Sequence, residues 1–150
     1  MNLLDKIKDN PNICSVDLNF EGVTTPSTLV SGQPFYNEYL TNGDVFEKTA
    51  ALISGIDFVE ESTTTVSGIL YKQKLVFRIL STDKNRANRS ALIHKTKYAK
   101  INFTNNLSII IGRNDAFQNT KPVVKTKSNS KFLEVEIETQ SIFPVGYESL

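Results

Sequence analysis

Two segments of this chain alternate apolar and charged residues with a period of two, and their charges are opposite in sign. Between residues 68 and 80, Ile69, Tyr71, Leu75, Phe77 and Ile79 fall on one face of an extended strand, and Lys72, Lys74 and Arg78 fall on the other. Between residues 131 and 143, Leu133, Val135 and Ile137 point one way and Glu134, Glu136 and Glu138 the other. A helix repeats its apolar positions every three or four residues, so this pattern predicts β-strands with one face on a core. If the two strands pair, opposite charges lie across the ladder. Each exposed pair would contribute about 0.2–1 kcal/mol, more to register than to stability. The alternative is that an acidic row of one copy meets a basic row of another.

The rest of the chain extends the β pattern. Residues 13–20 alternate, with Cys14, Val16, Leu18 and Phe20 opposite Ser15, Asp17 and Asn19, and predict a half-buried strand. Residues 56–61 and 63–80 predict one hairpin. Residues 98–104 and 107–111 predict another, with Asn105-Asn106 at its tip, since Asn tolerates the positive φ that tight turns demand. Residues 44–55 fit either a helix opened by Asp44 and Glu47 or a strand, and the β signals on both sides favour the strand. A short helix is expected over 3–9, with Leu3, Leu4 and Ile7 on one face and Pro11 ending it. A second is expected near 84–94, with Ala87, Ala91 and Leu92 as a thin apolar face. Residues 21–43 read as a turn-rich loop carrying Phe35, Tyr36 and Tyr39, which either cover an edge of the core or form an interface. Residues 113–130 read as a polar loop. The expected fold is therefore β-rich α+β: an antiparallel β-sandwich or half-barrel with those two short helices.

With 150 residues the chain fits one domain. It divides into a helix, strand and extended loop over 1–45, an antiparallel core over 46–144 and a tail over 145–150. The hydrophobic fraction of 39% and charged fraction of 22% suit a globular domain. The single cysteine, Cys14, makes no internal disulfide; a reducing compartment and a small buried apolar side chain are expected. The first residues lack the apolar core of a secretory signal, and the longest apolar run, 107–111, is far shorter than the roughly 20 residues that span a bilayer. No membrane contact is expected.

The net charge of +1 conceals a division. Residues 1–61 hold ten acidic and three basic residues, a sum of −7, whereas residues 72–100 hold nine basic and one acidic, a sum of +8. Such asymmetry within one domain points to a partner, either nucleic acid or a further copy of the chain. Catalytic chemistry is sparse. One His and one Cys leave little room for a zinc site, His94 sits among lysines, and no phosphate-binding glycine loop or nucleophile elbow occurs. No cofactor, metal or small-molecule substrate is expected, nor an enzyme. The basic run Lys84, Arg86, Arg89, Lys95, Lys97 and Lys100, beside Tyr98, could neutralise a nucleic-acid backbone, although a pI of about 7.8 is low for a dedicated binder.

One segment carries a resemblance: Gly68-Ile69-Leu70-Tyr71-Lys72-Gln73-Lys74-Leu75-Val76-Phe77-Arg78-Ile79, preceded by Phe58-Val59-Glu60-Glu61-Ser62. It resembles small tail and neck proteins of tailed bacteriophages of Bacteroidetes, in which a G-x-x-Y-x-x-x-L-x-F-x-I strand is followed by a short helix, a strand pair and a final strand. The corresponding parts here are residues 84–94, 98–111 and 131–144. The resemblance covers about residues 56–144 and is a pattern of strands without a catalytic signature. It implies a non-enzymatic virion component, present in the host cytoplasm before assembly. Such a component forms a ring in the tail or head–tail connector, contacting its own copies, a portal, tail tube or hub, and passing DNA non-specifically. The residues proposed for such contacts are Lys72, Lys74, Lys84, Arg86, Arg89, Lys95, Lys97, Phe35, Tyr36, Tyr39, Glu60 and Glu61.

Overall fold

The computed structural model describes residues 12–20, 46–112, 122–141 and 148–149. They form nine strands and one helix: β1 (Ile13–Asn19), β2 (Glu47–Lys48), β3 (Asp57–Thr65), β4 (Gly68–Leu80), α1 (Arg86–Ile93), β5 (Tyr98–Phe103), β6 (Leu107–Ile111), β7 (Val123–Ser128), β8 (Phe132–Ser141) and β9 (Glu148–Ser149). The strands make two separate antiparallel sheets, ordered β2-β1-β5-β6-β9 and β3-β4-β8-β7, and neither closes into a barrel. The expected helix over 3–9 and the aromatic loop of 21–43 lie outside the described residues.

Both sheets contribute to one apolar core. Val16, Leu18, Ala99, Ile101, Ile109 and Ile111 come from the first sheet, and Leu75, Phe77, Ile79, Leu133, Val135 and Ile137 from the second. The two segments that fix the fold in sequence are direct neighbours, β4 against β8, with Leu75 opposite Ile137, Phe77 opposite Val135 and Ile79 opposite Leu133. Ile93 is the only buried residue of α1 and joins the same core. The apolar face expected for this helix is therefore misplaced: Ala87, Ala91 and Leu92 are exposed. After the helix, the Thr96 hydroxyl donates to the Ile93 carbonyl at 2.6 Å and satisfies one of the carbonyls left open at the helix end.

Several other expectations need correction. The first hairpin turns at Val66-Ser67 and not near Ser62, because Ser62-Thr63-Thr64-Thr65 suits an extended edge and continues β3 to Thr65, which pairs with Gly68. Residues 123–128, read as loop, form β7; their Lys and Ser content disguises a strand whose Val124 faces the core. Of the segment 44–55, the described residues 46–55 hold a strand of two residues, β2. It is followed by a bridge of Ala51 to Ile79 and a 3-10 turn at Ile53–Gly55, so the chain crosses from the first sheet to the end of β4 that β3 does not reach. β1 is not half-buried: Asp17 and Asn19, on the side away from Val16 and Leu18, are buried as well. There the Asn102 amide donates to both Ser15 Oγ and Asp17 Oδ2, each at 3.0 Å, which gives polar side chains partners inside the covered face. Cys14 is half-buried rather than enclosed. Residues 148–149, assigned to a tail, pair with β6.

The second hairpin has its predicted tip, with Asn106 at φ 64°. Gly112, just past β6, has φ +101°, and a Cβ placed there would lie 2.4 Å from the Lys97 carbonyl oxygen. Only glycine suits both the backbone conformation and the close approach.

Candidate interaction surface

The strand period places the charged residues of the second sheet on its outer face, in columns. β3 contributes Asp57 and Glu61, β4 contributes Lys72, Lys74 and Arg78, β8 contributes Glu134, Glu136 and Glu138, and β7 contributes Lys125 and Lys127. The sign alternates from strand to strand: acidic, basic, acidic, basic. Three ion pairs join β4 to β8, Lys74 Nζ to Glu136 at 2.9 Å, Arg78 Nε to Glu134 at 3.8 Å and Lys72 Nζ to Glu138 at 4.0 Å. The opposite charges expected across this ladder thus meet within one chain. The hydrogen bond to Glu136 holds the Lys74 ammonium above its ordinary pKa, and the same bond holds the Glu136 carboxyl below its own. The three cations are exposed and their carboxylate partners half-buried, so solvent still screens the pairs and they fix register more than they add stability.

The remaining proposed contact residues do not form one patch. Glu60 points to the inner face and accepts a hydrogen bond from the buried Gln73 amide at 2.9 Å. Glu61 is on the outer face, opposite Lys72. Around α1, Arg89 is held by Asp83 through bonds of 2.8 and 2.6 Å, which lower the Asp83 pKa and raise that of Arg89. Arg86 donates to the Asn129 carbonyl at 2.9 Å. Lys84 and Lys95 are exposed at the two ends of the helix, and Lys97 is half-buried where β5 begins. Lys100 stands over the Phe46 ring, 5.6 Å from its centre. Phe35, Tyr36 and Tyr39 lie outside the described residues.

Sequence reading missed Gln73, Val123, Lys125 and Lys127. Gln73 interrupts the apolar face of β4, and the other three belong to the strand taken for a loop. A signal existed in Val123-Val124-Lys125-Thr126-Lys127, where Lys125 and Lys127 alternate with Val124 and Thr126.

A cavity of about 300 Å³ opens beside Arg78, Lys127, Ser128, Asn129, Phe132 and Glu134. Its two cations, Arg78 and Lys127, flank Glu134, which leaves the lining with a net charge of only +1. His94 is exposed, with Nε2 3.1 Å from Thr126 Oγ1. Among the described residues no three His, Cys, Asp or Glu side chains converge, and no helix is long and apolar enough to cross a membrane. Comparison with protein-family models, with curated proteins and with solved structures yields no match.

Proposed function

We propose that this chain is a non-enzymatic assembly protein that works by contacting copies of itself. The observation that carries the proposal is the separation of charge along the chain, −7 over residues 1–61 and +8 over residues 72–100, of which +5 remains (8 less 3) once Lys72, Lys74 and Arg78 are paired with Glu138, Glu136 and Glu134. Heterologous contacts between such copies use two different patches of each subunit and close into rings when the rotation permits. In this reading the two sheets sharing one core are a β-sandwich serving as a rigid block. The strand pattern of residues 56–144 supports the narrower proposal that the block is a virion component of a tailed bacteriophage. It would form a ring in the tail or head–tail connector, beside a portal, tail tube or hub.

Mass photometry over a concentration series tests the reading. A discrete oligomer that weakens as salt rises is the expected result, because exposed charge pairs are screened. A monomer at every concentration contradicts it. A second reading, nucleic-acid binding, draws on the exposed Lys84 and Lys95. It predicts DNA affinity that falls steeply with salt. Against it, Arg89 is neutralised by Asp83, and Arg86 is engaged by a backbone carbonyl.

A further inference from the structure

The alternation of charge across the second sheet is open at both ends. One outermost strand, β3, carries Asp57, Glu60 and Glu61 and no basic residue; the other, β7, carries Lys125 and Lys127 and no acidic one. Among the described residues nothing pairs with the outer edge of either strand. An unblocked sheet edge is a row of backbone donors and acceptors ready to accept another strand. β3 is nine residues long, with no proline.

The register of the sheet shows what a neighbouring copy would meet. One row runs Val59, Lys74, Glu138, Val123, and the next runs Asp57, Val76, Glu136, Lys125. If a second copy continues the sheet level with the first, its β3 lies beside β7 with Val59 opposite Val123 and Asp57 opposite Lys125. On the inner face the same register sets Phe58 opposite Val124, two residues that already pack against the core edge. Val59 and Val123 are among the exposed large apolar residues, 41% and 55% accessible. The level register therefore pairs apolar with apolar and acid with base. Strand direction also agrees. Each strand of the sheet is antiparallel to its neighbour, so with four strands β3 runs opposite to β7. A copy rotated about an axis along the strands presents β3 antiparallel to β7, and the alternation continues unbroken.

Pairing of like edges is disfavoured by the same charges. On the outer face, two β3 edges would bring Asp57 and Glu61 beside their counterparts, and two β7 edges would bring together four lysines. Repulsion that rejects the two-fold arrangement selects the head-to-tail one.

We infer that β3 of one copy adds to β7 of the next, in the register Val59–Val123 and Asp57–Lys125, so that the four-stranded sheets of successive copies form one continuous sheet. This rests on the self-assembly reading and names its contact. The test uses the full chain and two variants, Asp57→Lys and Lys125→Asp, both at exposed positions, with circular dichroism confirming that each folds. Each variant alone sets like charges opposite one another at the 57–125 position and is expected to need a concentration about tenfold higher to assemble, as follows from turning an attractive cross-strand pair into a repulsive one. Mixed together they place lysine against aspartate at every junction, and assembly is expected to return. Wild-type assembly that neither variant weakens, or that the mixture does not restore, overturns the edge pairing while leaving self-assembly standing. A wild-type chain that stays monomeric overturns both.

Discussion

Gln73 offers the sharpest probe of how the second sheet is built, because it is a polar side chain on the face that points into the core. It is 1% exposed and sits between Tyr71 and Leu75 on that face. Its amide oxygen accepts a hydrogen bond from the Thr139 hydroxyl at 2.8 Å, and its amide nitrogen donates to Glu60 at 2.9 Å. Gln73→Met keeps the length of the side chain and removes both bonds. Thr139 is nearly buried, so its hydroxyl loses its partner without gaining water, at a cost of about 1–3 kcal/mol. Glu60 is only half-buried and can turn to solvent, which limits its share. Adding Thr139→Val removes the stranded hydroxyl, and the double variant is expected to recover about 1 kcal/mol or more of the loss. Urea unfolding followed by circular dichroism measures all three, with an unchanged slope showing that the denatured states are comparable. Should Gln73→Met lie within about 0.5 kcal/mol of wild type, or the two changes simply add, the buried polar link is not part of the packing as argued.

Two further outcomes follow from single sites. Gly112→Ala adds a Cβ 2.4 Å from the Lys97 carbonyl oxygen at a φ of +101°, so it should destabilise by about 2–4 kcal/mol, read as a fall in the urea midpoint; a change below about 0.5 kcal/mol contradicts the strain argument. The carboxyls of Glu136 and Asp83 are held below their ordinary values of 4.5 and 3.8, so their contribution is complete above those values and is lost as pH falls through the lower folded ones. The stability difference between wild type and Glu136→Gln should accordingly be largest near neutral pH and shrink as pH falls below 4.5; a difference that is flat with pH contradicts the pairing with Lys74.

How much of this was legible in the sequence differed from strand to strand for physical reasons. β4 and β8 were readable because one face is buried and the other faces water, which forces a strict period of two. Their ion pairs were readable for the same reason, since a known facing leaves only the partner strand to be found. β7 hid because an edge strand needs few apolar residues: Val124 alone packs on the core edge, and Lys125, Thr126 and Lys127 look like a loop. β1 misled in the opposite direction, since Asp17 and Asn19 suggest solvent but are buried, with Asp17 bonded to Asn102. The turn at Val66-Ser67 carried no Asn-Gly or Asp-Gly signal, so its position could not be fixed from residue type. The basic residues near α1 looked like one patch in sequence, yet Arg86 and Arg89 are each drawn into local bonds. The edge contact was not legible: the charge asymmetry visible along the chain lies in residues 1–61 and 72–100, whereas the basic edge is Lys125 and Lys127 of β7, and which strands are edges depends on strand order, which no local pattern encodes.

The most direct test of the account is the mass distribution of the wild-type chain in solution, measured by mass photometry and sedimentation velocity as concentration rises at low and at high salt. A discrete species larger than a dimer is expected, because a head-to-tail contact does not stop at two copies, and it should dissociate as salt screens the edge charges. A monomer throughout, or a dimer indifferent to salt, would contradict the account.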